Sequence, residues 1–184
     1  MDFAQLPITR ANRLINHGPA ILVTASLHGR HNVMTAAWAM PASHTPPMVA
    51  VAIGPGRYTH ELIMESREFV VNIPNTALLD AVWCCGTTKG RSMDKFAHCN
   101  LTPVAGKRVA APLIKECIGA IECRLASHST AGDHTIFIGE VLAVWARPDL
   151  FDQRLLIEKE EAQTLHHLGG RDFCPPGRVI SKAE

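Results

Sequence analysis

Asn32-Val33-Met34-Thr35-Ala36-Ala37-Trp38 is followed, after a short polar stretch, by Pro46-Pro47-Met48-Val49-Ala50-Val51-Ala52-Ile53-Gly54-Pro55. The two segments decide the fold. They read as a strand over Val33–Met40, a loop, and a further strand over Met48–Gly54. The prolines at 41, 46 and 47 remove amide donors that a ladder needs, so 41–47 is predicted to be loop. The second strand is apolar on both faces, which suits a central position in a sheet. Upstream, Ile21, Val23, Ala25 and Leu27 alternate with Leu22, Thr24 and Ser26, the period of a half-buried strand. His28-Gly29-Arg30-His31-Asn32 makes the hairpin turn between them, with Gly29 expected at positive φ.

Downstream, Thr59 is placed to cap a helix that presents Leu62, Ile63 and Ser66 on one face. Phe69–Ile73 reads as a strand stopped by Pro74. Asn75-Thr76 then opens a second helix with Leu78, Leu79, Val82 and Trp83 at helical spacing. A small polar loop, 86–90, and a helical turn over 93–99 follow. Ile121, Cys123 and Leu125 alternate with Glu122, Arg124 and Ala126, predicting a strand with one apolar face. After a polar reversal over 127–133, His134–Ala146 returns as a long strand. Long antiparallel strands suit a barrel wall. The tail, 151–184, is expected to be mixed helix and coil packed on that barrel. Six or so strands with inserted helices make a mainly β, single-domain chain over 1–184. No G-x-G-x-x-G follows a strand, which argues against a doubly wound nucleotide-binding sheet.

Composition narrows the function classes. The 184 residues are 47% hydrophobic and 19% charged, with a formal net charge of +1, and so can bury a substantial core. The 18 basic residues are scattered, so no nucleic-acid partner is expected. Met1-Asp2-Phe3 does not open like a secretory signal, and no apolar run reaches the ~20 residues of a membrane span. A cytoplasmic protein follows, with its six cysteines as reduced thiols. No Cys-x-x-Cys occurs. The adjacent pairs Cys84-Cys85, His98-Cys99 and His166-His167 point apart, so no metal site is expected. Neither G-x-S-x-G nor H-E-x-x-H is present.

What remains is a set of small polar clusters at element ends: Thr35 with Ser43; Arg57-Tyr58-Thr59; and Thr87-Thr88-Lys89-Gly90 with Lys95. A phosphate monoester wants several amide or hydroxyl donors and a cation, and Arg57 before a helix N-terminus meets that need. A solvated turn arginine and a capping threonine are the plainer reading of the same residues. Trp38, among Met34, Ala36 and Met40, either flanks a flat ring or belongs to the core or an interface. Gly132-Asp133-His134 lies where the hairpin turns back, and His134 either meets a ligand or only completes the turn. Glu140, odd within an apolar run, is expected to find a structural or interfacial partner.

Taken in order, Asn-x-Met-Thr-x-x-Trp (32–38), Pro-Pro-Met-Val-Ala-Val-Ala-Ile-Gly-Pro (46–55), Arg-Tyr-Thr-His-Glu-Leu-Ile (57–63), Phe-Val-Val-Asn-Ile-Pro (69–74), Cys-Gly-Thr-Thr-Lys-Gly-Arg (85–91), Asp-Lys-Phe (94–96), Gly-Asp-His-Thr-Ile-Phe-Ile-Gly-Glu-Val (132–141) and His-Leu-Gly-Gly-Arg (167–171) resemble the flavin reductase-like, FMN-binding split-barrel family, and within it the flavoredoxin branch. The resemblance implies a six-stranded antiparallel split barrel that binds FMN and works as a homodimer. Met34, Thr35, Ala36, Ala37 and Trp38 would run along the isoalloxazine. Ser43, Arg57, Tyr58, Thr59, Thr87, Thr88 and Lys95 would serve the ribityl chain and phosphate. His134 would stand on the nicotinamide or substrate side as the catalytic candidate, with His167 approaching the same pocket. The implied activity is hydride transfer from NADH or NADPH to flavin. The alternatives are an electron carrier with a redox protein partner and a flavin-binding module without turnover. Hydride transfer to a flavin needs proximity and stacking more than a protein acid or base, which accords with the lack of a catalytic constellation.

Overall fold

The computed structural model describes residues 4–182; the opening Met1-Asp2-Phe3 and the final Ala183-Glu184 lie outside them. A 3-10 turn, Ile8–Arg10, runs into α1 (Ala11–Ile15). Four strands follow: β1 (Ile21–Leu27), β2 (Arg30–Ala36), β3 (Ala39–His44) and β4 (Pro47–Ile53). Then come α2 (Tyr58–Ser66), β5 (Glu68–Ile73), a 3-10 turn Thr76–Leu78, α3 (Leu79–Thr87) and α4 (Lys95–His98). The short strands β6 (Pro103–Val104) and β7 (Leu113–Ile114) pair with each other. The long hairpin β8 (Gly119–Ala131) and β9 (His134–Ala146) follows, then a 3-10 turn Glu160–Ala162 and the small hairpin β10 (His166–Gly169) and β11 (Asp172–Cys174).

The main sheet has seven strands in the order β2-β1-β5-β8-β9-β4-β3, antiparallel throughout. Its two edge strands, β2 and β3, are joined by only Ala37-Trp38, so the sheet must curl until its edges approach at that dipeptide. This is the split barrel. The expected Val33–Met40 strand is therefore broken, and the expected 41–47 loop is largely strand β3. Prolines are tolerated there because β3 is an edge, and a bulge between Pro41 and Ser43 absorbs the irregularity. That strand raises the count from six to seven.

β1 is buried on both faces, not half-buried as its alternation suggested. Ile21, Val23 and Ala25 enter the barrel core with Met34, Val51, Ile53, Phe69 and Phe137, which α2 closes with Leu62 and Ile63. Leu22, on the other face, packs with Val33, Val82, Cys85, Phe96 and Leu101 beneath α3 and α4. Thr24 on that face donates to the Pro112 carbonyl at 2.5 Å. Gly29 does take positive φ, joined by His28. The tail forms the β10–β11 hairpin where mixed helix and coil was expected.

Glu122 departs from the one-face reading of β8. It is fully buried and accepts hydrogen bonds from the amides of Lys107 (3.2 Å), Arg108 (2.6 Å) and Val109 (3.0 Å) and from Trp145 Nε1 (2.7 Å). Period-two alternation cannot register a loop that folds over the outer face and supplies donors. Burial alone would raise its pKa, but the bonds from Arg108, Trp145, Lys107 and Val109 outweigh it and hold the carboxyl below the usual range. Glu140, the other odd carboxylate, is paired with Arg124 at 2.7 Å. Glu122→Gln should turn an NH2 toward donors and lower stability by about 1–3 kcal/mol at neutral pH. Because the folded pKa is depressed, the carboxylate's contribution is present above the usual glutamate range and fades as pH falls through the folded value. Urea unfolding of both proteins as a function of pH should show the difference shrinking on acidification.

Candidate functional site

One groove runs along the seam between β2, α2 and α3. Its two halves share Met34, Thr35, Arg57, Gly86 and Thr87. The seam is narrow because Thr35 Oγ1 donates to the Val82 carbonyl (2.5 Å), tying β2 to α3. Gly86 of α3 faces Thr35 across it: a Cβ there would stand in van der Waals contact, 3.4 Å from the Thr35 Cβ.

The first half is flat-walled. Met34 to Trp38 form one side, Val82 and Trp83 another, and His134, His167 and Phe173 contribute rings. Trp38 lies 4.7 Å from His134, centroid to centroid, with the ring planes 36° apart. In the amide orientation that satisfies both neighbours, Asn16, just past α1, accepts from Trp38 Nε1 (2.8 Å) and donates to the Ala37 carbonyl (2.9 Å). Those bonds fix the indole although Trp38 is 40% exposed. His134 Nδ1 lies 2.8 Å from Asp133 Oδ1, and this bond holds the Asp133 carboxyl below its usual range. His167 stacks near Phe173 while His166 turns to the His17 carbonyl, so the adjacent histidines do point apart.

The second half is cationic. Arg57, Lys89, Arg91 and Lys95 line it with Asn32, Tyr58, Thr59, Thr87 and Thr88. Arg91 is already paired with Glu61 at 2.6 Å. Among the described residues Arg57, Lys89 and Lys95 make no ion pair. Lys95 is only 5% exposed, and Nζ donates to just one acceptor, the Cys85 carbonyl (2.7 Å). Burial pushes its pKa down; Cys85 opposes this and the charge of Arg57 adds to it. A buried ammonium without a counter-charge is costly, and an anion in the cleft would relieve it.

Two further details fit an anion. Asn32 is buried, with Nδ2 bonded to Thr59 Oγ1 (2.8 Å) and Oδ1 unpartnered. Because a hydroxyl can donate or accept, turning the amide lets Thr59 donate to Oδ1 and frees Nδ2 as a donor. Gly90 leaves room for that amide, since a Cβ there would collide with the Asn32 side chain. Thr59 is thus not the expected cap: Arg57 holds that position, and α2 has no side-chain cap on its first-turn amides.

Of the residues assigned to the flavin site from sequence, only Ser43 is absent from both halves of the groove. It pairs with Met48 of β4, beyond the bulge and away from Trp38, because the stretch read as a loop is an extended edge strand. Sequence reasoning missed Asn12, Arg13 and Asn16, carried by or just past a one-turn helix too short for a periodic signal. It also missed Asn32 and Trp83, which entered the reading only as a turn residue and a core residue. The signal for Asn32 was its place at the head of the motif that includes Met34 and Thr35.

The cysteine reading needs one correction. Cys84 and Cys99 form a disulfide, while Cys85, Cys117, Cys123 and Cys174 are free. α3 and α4 pack on the same apolar cluster, which brings the two Cα atoms to 5.8 Å. Burial pushes the Cys85 and Cys123 thiols up to about 11 and about 12. Among the described residues no three His, Cys, Asp or Glu side chains gather as a metal site, and no helix is long and apolar enough to cross a membrane.

A curled antiparallel sheet with inserted helices, its seam joining flat walls to a cationic cleft, defines the split-barrel class of mainly β proteins. The particular family is the flavin reductase like domain, whose model matches residues 13–166, and the chain belongs to it. An uncharacterized Escherichia coli protein, YddH, is 35% identical over 185 residues, covering 97% of each chain. Flavoredoxin of Desulfovibrio vulgaris superposes with a TM-score of 0.82 at 31% identity over 90% of each chain. The FMN-binding domain of a flavin reductases-like enzyme from Shewanella baltica gives a TM-score of 0.82 at 26% identity, over 98% of this chain and 97% of that one.

Thiol titration of the denatured protein should find four reactive groups without reductant and all six after reduction. Six from the start would remove the disulfide.

Proposed function

We propose that the protein is an FMN-dependent oxidoreductase, a flavin reductase that takes a hydride from NADH or NADPH. The observation that carries this is Lys95: a buried, unpaired cation beside Arg57 at one end of a groove whose other end is walled by flat rings. A ligand with a phosphate tail and a planar head matches both ends, as FMN does. The family and the FMN-binding relative support the same choice.

When bound, FMN supplies a ring that accepts two electrons as hydride. Arg57, Lys89, Lys95 and the Asn32 amide would hold the phosphate with charge-assisted bonds, together with the first-turn amides of α2. Thr87 and Thr88 would complete the cleft, although the Thr87 hydroxyl already donates to the Trp83 carbonyl (2.8 Å). Met34–Ala37 would lie along the ring, and Thr35 keeps that strand against α3. Trp38, fixed by Asn16, and His134, fixed by Asp133, would border the open side where a donor stacks. None of these residues needs to move a proton for hydride transfer, so their work is to bind, orient and exclude water.

A second copy of the chain would cover the apolar surface beside the groove, where Leu14, Ile15 and Met40 are 70%, 80% and 63% exposed. The similarity to flavoredoxin favours a second reading, an electron carrier reduced by a redox protein partner.

Lys95→Met and Arg57→Ala should each raise the FMN dissociation constant roughly tenfold or more, from the loss of a charge-assisted bond of about 1.5–3 kcal/mol. Riboflavin, which lacks the phosphate, should bind wild type and variants alike. Lys95→Met should also unfold no earlier than wild type, because it removes an unpaired buried charge. Unchanged FMN affinity in both variants would empty the cleft of its assigned role. Steady-state oxidation of NADH or NADPH with added FMN separates the reductase from a carrier reduced only by a protein donor.

A further inference from the structure

The cationic cleft accounts for one anion. One more guanidinium, Arg13, lines the opposite, flat-walled end, and another, Arg171, lies over the ring of its wall residue Trp83; nothing in the flavin reading uses them. Arg13 lines the groove from α1. Its guanidinium rests against Gly169 in the β10–β11 turn: a Cβ at that position would lie 2.5 Å from Nη1 and 2.7 Å from Cζ. Gly169 has φ +126°, a conformation that disfavours any side chain there. Arg171, just past the same turn, lies with Cζ 5.3 Å from the ring centroid of Trp83, which forms the facing wall of the groove.

Neither arginine has an acidic partner among the described residues. Asp172, next to Arg171, pairs with neither. A guanidinium presents five N–H donors in a planar fork suited to phosphate or carboxylate oxygens. Here one fork rests against a glycine turn and the other lies over an indole face, and neither has a hydrogen-bond acceptor among the described residues. The first anion site lies at the other end of the groove, around Lys95, so a tail phosphate seated there leaves these two free.

We propose that Arg13 and Arg171 form a second anion subsite, one that binds the phosphate or carboxylate group of a redox substrate while its reactive part stacks beside Trp38 and His134. The inference rests on the flavin reading of the groove. It makes the protein selective for negatively charged donors or acceptors over neutral ones of the same reactivity. The shared chemistry is an oxyanion. Its two sources are the phosphates of a nicotinamide dinucleotide and the carboxylate of an organic acid.

Arg13→Gln, Arg171→Gln and the double variant test it. Calorimetric titration of the FMN-loaded protein with ADP, and separately with benzoate, reads binding without turnover. Wild type should bind at least one of them, and each variant about tenfold more weakly, the scale of one lost charge-assisted contact. Loss confined to ADP assigns the subsite to a dinucleotide, and loss confined to benzoate to a carboxylic acid. For the dinucleotide case, the ratio of kcat/KM for NADH to that for N-benzyl-1,4-dihydronicotinamide, a neutral donor without phosphate, should fall about tenfold in each variant, through KM. Wild type that binds neither anion, or variants that bind them equally well, would overturn the subsite while leaving the flavin reading intact. A protein that retains no FMN fails at the earlier step and takes both readings with it.

Discussion

A strand buried on both of its faces is the constraint from which the rest follows. β1 sends Ile21, Val23 and Ala25 into the barrel and Leu22 into a second core under α3 and α4. Because β1 and its neighbour β2 belong to both cores, the helices cannot drift relative to the barrel without exposing apolar surface on the scale of about 25 cal/mol per Å2. The groove is the line where the two cores meet. Its geometry is set by packing on either side, and the Thr35–Val82 bond marks how closely the two halves approach.

Within that seam the electrostatics are lopsided. The protein carries a net charge of only +1, yet it gathers Arg57, Lys89, Arg91 and Lys95 around one cleft and satisfies only Arg91 with a carboxylate. Elsewhere the chain treats buried charge in the opposite way. Glu122, just as deeply buried, is met by four donors. The contrast between a satisfied buried carboxylate and an unsatisfied buried ammonium sets Lys95 apart as the group a bound anion would satisfy.

Much of this was legible in the chain. The β9 strand, His134–Ala146, is bounded in the structure as the polar reversal at Gly132-Asp133 and the stop at Pro148 imply, because both ends carry turn residues. The cationic residues of the cleft were also visible, since Arg57 and the Thr-Thr-Lys-Gly stretch stand at element ends. β3 was not. Proline content argues for loop wherever a strand is assumed to pair on both sides, and only the topology reveals that this one pairs on one side. Ser43 was misplaced for the same reason. Glu122 and Asn32 were read from their local surroundings, while their roles depend on a loop and a helix distant in sequence. The polar face of α1 was invisible because five residues carry too little periodicity to announce a helix.

The disulfide has a topological meaning. Cys85 through Lys95, which supply most of the cationic wall, lie inside the covalent ring that Cys84 and Cys99 close across a separation of 15 residues. A tether of that span removes loop-closure entropy worth about 3 kcal/mol from the unfolded chain. The cationic lip therefore remains a hoop even in a melted molecule, and refolding begins with its two ends already joined.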